Sequence, residues 1–162
     1  MAAAIIVVAG VAAACSGAAT AAPAASPSSA TAASAAASAA AASAPAAAGG
    51  PVVMTATVGT VGTLVVASSN GMTVYTFDKD VADSGTSACT GGCLAKWPAL
   101  TVPAGSTPTG ASGVTGKLGT ITRADDSTLQ VTYNGKPLYF FTGDKAAGDS
   151  NGIYTGWSAV KP

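Results

Sequence analysis

Histidine and glutamate are both absent from the 162 residues. Without histidine there is no Ser-His-Asp or Cys-His nucleophile, no haem attachment through C-x-x-C-H, no cupredoxin-type copper site and little scope for zinc. Without glutamate, any carboxylate chemistry rests on aspartates alone. Charge is scarce as well: seven Lys/Arg balance seven Asp, and every one of them lies after residue 51. No Lys/Arg cluster forms the electrostatic footprint of a nucleic-acid surface, which argues against a nucleic-acid partner. The 49% hydrophobic content is mostly alanine, so it signals neither a large core nor a membrane-embedded chain.

The uncharged first third divides in two. Residues 1–14, with Ile5-Ile6-Val7-Val8 at the centre, form an apolar run of signal-peptide length, too short to span a bilayer as a mature helix. Val11-Ala12-Ala13-Ala14-Cys15-Ser16-Gly17 follows and resembles a bacterial lipobox, in which small residues precede a cysteine that receives a diacylglyceryl group. Ala12 stands where that pattern usually has leucine, and no Lys or Arg follows Met1, which implies a true start upstream. The alternative is an ordinary Ala12-x-Ala14 cleavage that releases the protein. Residues 16–51 are Ala, Ser, Pro, Thr and Gly almost throughout and cannot offset the entropy of ordering, so they read as a disordered tether. Such a segment has a root-mean-square span of about 35 Å.

Residues 52–162 carry an internal duplication. Asn70-Gly71 followed by Tyr75-x-Phe77-x-x-Asp80 recurs as Asn134-Gly135 followed by Tyr139-x-Phe141-x-x-Asp144. Val58-Gly59-Thr60-Val61 aligns with Leu118-Gly119-Thr120-Ile121, and Trp97-Pro98-Ala99-Leu100 with Trp157-Ser158-Ala159-Val160. The copies run from about 58 to 102 and from about 118 to 162. Each is longer than a typical solenoid repeat, which points to a duplicated subdomain. A domain of roughly 110 residues hides about 65% of its unfolded surface, enough for one core.

Asn-Gly between runs rich in Val, Thr, Leu and Tyr predicts two-residue hairpins: Leu64–Ser69 against Met72–Phe77, and Thr128–Tyr133 against Lys136–Phe141, with Pro137 at a strand start or edge. Residues 52–58 and 117–123 add strands, with a turn at Asp125-Asp126, and no segment of ten or more residues shows a helical period. The fold class is therefore all-β: a compact antiparallel domain, sandwich or barrel-like, built from two pseudo-repeated hairpin units.

Side chains two apart on a strand share a face, so Tyr75 pairs with Phe77 and Tyr139 with Phe141. With Trp97 and Trp157 these rings are expected in the core, each able to bury on the order of 150–250 Å². The alternative is an aromatic ligand platform. Asp80 and Asp144, three residues past each Phe, suit capping of turn N–H groups or acceptance from a tyrosine hydroxyl. Asp78-x-Asp80-x-x-Asp83 fails the EF-hand spacing, so no metal site is expected. Asp80 and Asp144 imitate a glycosidase acid pair, but their repeat-equivalent positions favour symmetry-related structure. Cys89-Thr-Gly-Gly-Cys93 is expected to close a structural disulfide in an exported protein; reversible redox use is the alternative.

The duplicated motif, together with Cys89-x-x-x-Cys93, Trp97-Pro98 and Gly116-Lys117-Leu118-Gly119, resembles the bacterial "secreted repeat" lipoproteins defined by Y-x-[FWY]-x-x-D, over roughly Leu64 to Pro162. The resemblance implies an exported, usually lipid-anchored module with no established activity. The expectation is therefore a membrane-anchored cell-envelope lipoprotein, non-catalytic and without cofactor. Its partners would be the membrane, through lipid on Cys15, and a cell-wall polymer or envelope protein. An extracytoplasmic redox accessory using Cys89 and Cys93 is the alternative.

Overall fold

Val-Met-Thr-Ala-Thr-Val and Gly-Thr-Leu-Val-Val-Ala form the first antiparallel pair, β1 (Val53–Val58) and β2 (Gly62–Ala67), in a computed structural model that describes residues 49–162. The leader, Cys15 and the tether through residue 48 lie outside the described residues. Within β2 alternate side chains serve two cores: Val65 and Ala67 join one cluster, Leu64 and Val66 another. The short strand β3 (Tyr75–Phe77) follows, then a five-residue helix α1 (Gly92–Lys96), then β4 (Thr101–Val102). The second repeat supplies β5 (Leu118–Thr122), β6 (Leu129–Tyr133), β7 (Lys136–Pro137) and β8 (Trp157–Ala159). The domain is nearly all β and antiparallel; α1 is too short to leave a helical period in the sequence.

The second hairpin turns as expected but is shorter than expected: its arms pair from Lys136 to Leu138, whereas Tyr139 to Phe141 leave β6 and β4 takes their place beside Leu129 and Gln130. Asn134 and Gly135 take φ values of 49° and 78°, so a two-residue turn joins β6 to β7, with Tyr133 opposite Lys136. Pro137 sits opposite Thr132 at the end of β7. The first hairpin differs. Ala67 N–H donates to Met72 O at 2.9 Å and Gly71 N–H to Ala67 O at 2.8 Å, enclosing a loop of Ser68 through Gly71. The Asn70 carboxamide oxygen accepts the Met72 N–H at 3.0 Å, an Asx-type bond that competes with the tight turn.

Hydrogen bonds define how the repeats correspond. Val65 N–H donates to Val160 O and Val65 O accepts from Val74 N–H; Val131 N–H donates to Leu100 O and Val131 O accepts from Leu138 N–H. Val65 therefore matches Val131. Since Val65 faces Thr55 and Val131 faces Thr120, β1 matches β5. The resemblance of Val58–Val61 to Leu118–Ile121 is not structural: Gly59-Thr60-Val61 makes the β1–β2 turn, whereas Gly119-Thr120-Ile121 lies inside β5.

Each repeat closes the other. After Val74 the chain splays from β2, and Val160 of the second repeat enters the fork, its N–H donating to Val74 O at 3.1 Å. Leu100 of the first repeat enters the matching fork and donates to Leu138 O at 2.9 Å. β3 then pairs with β8, while Ala99 bridges Tyr139. The two halves meet where Tyr75 and Tyr139 exchange N–H···O bonds of 2.9 Å in both directions, on a local pseudo-two-fold axis. The main core gathers Val53, Val65, Val74 and Val160 with Leu100, Val131, Tyr133 and Leu138, side chains from both ends of this succession of strands.

Candidate functional site

The turn after each motif strand places an aspartate under the opposite repeat. Asp80 N–H donates to Phe77 O and Asp144 N–H to Phe141 O, both at 3.1 Å, closing equivalent turns. Asp80 Oδ1 accepts the Ala88 N–H at 2.7 Å and Oδ2 accepts the Tyr139 hydroxyl at 2.7 Å. Asp144 Oδ1 accepts the Asn151 N–H at 2.8 Å and Oδ2 accepts the Tyr75 hydroxyl at 2.6 Å. Both roles expected of these aspartates, capping and phenol acceptance, are filled at once, and each phenol comes from the other repeat. All four side chains are buried: Tyr75 and Tyr139 at 0% exposure, Asp144 at 1% and Asp80 at 3%.

Burial raises both phenols above their ordinary pKa, because a phenolate loses its hydration there. At Tyr75 the Asp144 carboxylate adds to the rise, while the Gly152 N–H, 3.3 Å from the hydroxyl oxygen, opposes it. At Tyr139 the Ser87 hydroxyl, 2.6 Å away, opposes burial and the Asp80 carboxylate reinforces it. Both oxygens of each carboxylate are engaged, which leaves neither aspartate the free face a glycosidase acid pair requires. Asp78 and Asp83 are exposed while Asp80 is buried, and among the described residues no cluster of three metal-ligating side chains exists.

The six recurring aromatics form one pile. Trp97 and Trp157 stack at 3.5 Å and 2° between planes. Phe77 covers Trp157 at 4.3 Å, and Phe141 covers Trp97 at 4.7 Å. Tyr75 meets Trp97 edge-on at 5.5 Å, and Tyr139 meets Trp157 edge-on at 5.2 Å. Each Trp thus has rings on both faces, both of them from the other repeat. These faces are spent on packing, so a ligand platform is not available there. Tyr154, which sequence reasoning passed over, is 40% exposed and lies 5.6 Å from Trp97. Gly152 is also required: a Cβ there would come within 2.7 Å of the Tyr75 ring and 3.0 Å of Trp97.

Cys89 and Cys93 are joined by a disulfide with Cα atoms 5.3 Å apart, Cys89 buried within the aromatic cluster and Cys93 half-buried. The Cys89 carbonyl is held at 2.8 Å by Nη2 of Arg123, the single arginine of the chain. Arg123 is 3% exposed, also donates to Gln130 Oε1 at 2.5 Å, and forms a bidentate pair with Asp125 at 2.9 and 2.8 Å. Desolvation acts to lower the Arg123 pKa, but the Asp125 carboxylate outweighs it and the net shift is upward; the Arg123 hydrogen bond holds Asp125 below the usual carboxylate range. By the strand correspondence Arg123 and Gln130 occupy the places of Val58 and Leu64, both fully buried and apolar in the first repeat. Arg123 was legible only as a lone arginine. Among the described residues, four surface depressions of about 210, 260, 360 and 380 Å³ are lined by none of the six piled aromatics and by neither Asp80 nor Asp144.

No curated protein and no solved structure matches this chain. A family described as "Secreted repeat of unknown function" matches it twice, over residues 55–101 and 119–161, the two segments whose strands complete each other. With those two matches covering more than half its length, the chain belongs to the secreted-repeat family.

Proposed function

We propose that the protein is an extracytoplasmic lipoprotein, anchored by a diacylglyceryl group on Cys15, whose duplicated domain is a non-catalytic module for a cell-wall polymer or envelope protein. The family description, a secreted repeat, supports an extracytoplasmic location. The observation that carries the non-catalytic reading is the crosswise pairing of Tyr75 with Asp144 and Tyr139 with Asp80, which consumes the motif's polar groups in joining the repeats. Partner contacts then fall to the loops around this lock. The test is detergent-phase partition of wild type and Cys15→Ser from envelope fractions, followed by co-sedimentation of each with purified wall material. Wild type is expected in the detergent phase and the variant in the aqueous phase, with both sedimenting on the wall. Equal partition of the two refutes the anchor, and no sedimentation of either directs the search to protein partners.

A redox accessory role is the second reading, favoured by the partial exposure of Cys93 beside fully buried Cys89. A reduction potential below about −300 mV marks a structural bond and removes this reading.

A further inference from the structure

Charge is graded along the aromatic pile. Lys79 stands 6.0 Å from the Phe77 centroid at one end, and Lys96 stands 5.7 Å from Phe141 and 5.3 Å from Tyr154 at the other. Between them, the two phenols edge-on to the Trp pair donate to carboxylates at 2.6 and 2.7 Å. An electron hole is a positive charge, so it is repelled by the ammonium groups at the ends and drawn toward the carboxylates at the centre. Screening weakens the exposed lysines and leaves the buried carboxylates dominant. Successive rings from Tyr154 through Trp97 and Trp157 to the two tyrosines are 3.5 to 5.6 Å apart between centroids, a continuous path from an exposed ring to two buried ones. A phenol that loses an electron must also shed its proton, and each of these has an acceptor already in place.

We propose that Trp97, Trp157, Tyr75 and Tyr139 form a site that takes up oxidising equivalents from an anionic one-electron oxidant arriving at Tyr154 and Lys96. The oxidant removes one electron from Trp97 across the Tyr154 contact and is itself reduced by one electron. An electron from Tyr75 or Tyr139 refills the indole, directly or through Trp157, and the phenolic proton crosses its hydrogen bond to Asp144 Oδ2 or Asp80 Oδ2. The product is a neutral phenoxyl radical beside a neutral carboxylic acid. A quinol at the exposed end reverses the sequence: its electron returns the phenoxyl to phenol, the proton comes back from the aspartic acid, and the donor leaves as a semiquinone after giving a proton to solvent. The duplication thereby yields two equivalent sinks around one indole pair. This goes beyond the anchored-module reading and does not depend on it.

The experiment is pulse radiolysis of the disulfide-intact protein with the dibromide radical anion, following indolyl and phenoxyl absorption, with freeze-quenched electron paramagnetic resonance and a denaturing gel of the products. The expected result is first-order conversion of indolyl to phenoxyl at a rate independent of protein concentration, a persistent phenoxyl, and monomeric protein. The Tyr75→Phe/Tyr139→Phe variant, once shown by near-ultraviolet circular dichroism to be folded, is expected to lose the persistent phenoxyl. Indolyl decay without phenoxyl overturns the proposal, as does an unchanged phenoxyl in the folded variant. Dityrosine-linked dimers of the wild type also overturn it, because they place the radical on exposed Tyr154; this readout needs no variant.

Discussion

Alkaline titration probes the two crossed phenols together. Tyr75 and Tyr139 are fully buried, and burial first, with the Asp144 and Asp80 carboxylates adding to it, holds both above the ordinary value of about 10. A group whose folded pKa is raised contributes stability that is complete below its unfolded pKa and is lost as pH climbs toward the folded one. Between those limits the unfolded chain has released the proton and the folded chain has kept it, so stability falls with pH. Each phenol contributes a slope of about 1.4 kcal/mol per pH unit, and the two together about 2.7 kcal/mol. Against a typical domain stability of about 5–15 kcal/mol, an excursion of two pH units above the unfolded value removes much of the reserve. Urea midpoints followed by tryptophan fluorescence from about pH 8 to 11.5 give the slope, and the folded Tyr75→Phe protein gives its share. The variant is expected to lose close to half of the alkaline slope. An unchanged slope in the variant, or wild-type stability flat through about pH 11, refutes the reasoning.

Two further outcomes follow from packing. Gly152→Ala drives a methyl group into Tyr75 and Trp97, and is expected to cost about 1–3 kcal/mol in urea unfolding, where a cost near zero means the rings are looser than described. Arg123→Val strands Gln130 Oε1 and the Cys89 carbonyl and should destabilise by about 1–3 kcal/mol, yet Arg123→Val/Gln130→Leu recreates the Val58–Leu64 pair of the first repeat and should regain the part due to Gln130, since Leu138 O keeps a donor in Leu100 N–H while the Ser87 hydroxyl hydrogen stays engaged by Tyr139; additive losses contradict the correspondence.

The elements were legible where local chemistry decides them. Asn134-Gly135 required positive φ at both positions and made its turn, and the Val- and Thr-rich runs at 52–58 and 117–123 became β1 and β5. The first Asn-Gly pair failed as a two-residue turn because the Asn70 side chain satisfies the Met72 N–H and lets the loop widen. The recurring aromatics announced a core, and a core they are. What the sequence could not disclose is which repeat each motif residue serves. Identical motifs at equivalent positions fit a structure in which Tyr75 bonds Asp80 as readily as one in which it bonds Asp144, because pattern records only the residue's own strand. Arg123 was hidden for a different reason: its role depends on a carbonyl, that of Cys89, in a loop distant along the chain.

The central claim, that each repeat is completed by the other, is tested most directly by two sets of double-mutant cycles at neutral pH. Tyr75→Phe combined with Asp144→Asn, and Tyr139→Phe with Asp80→Asn, should each show a coupling of about 1.5–3 kcal/mol, the range for a hydrogen bond to a charged group. Tyr75→Phe with Asp80→Asn, and Tyr139→Phe with Asp144→Asn, should add to within about 0.5 kcal/mol. Coupling within a repeat and additivity between repeats would contradict the crossed arrangement.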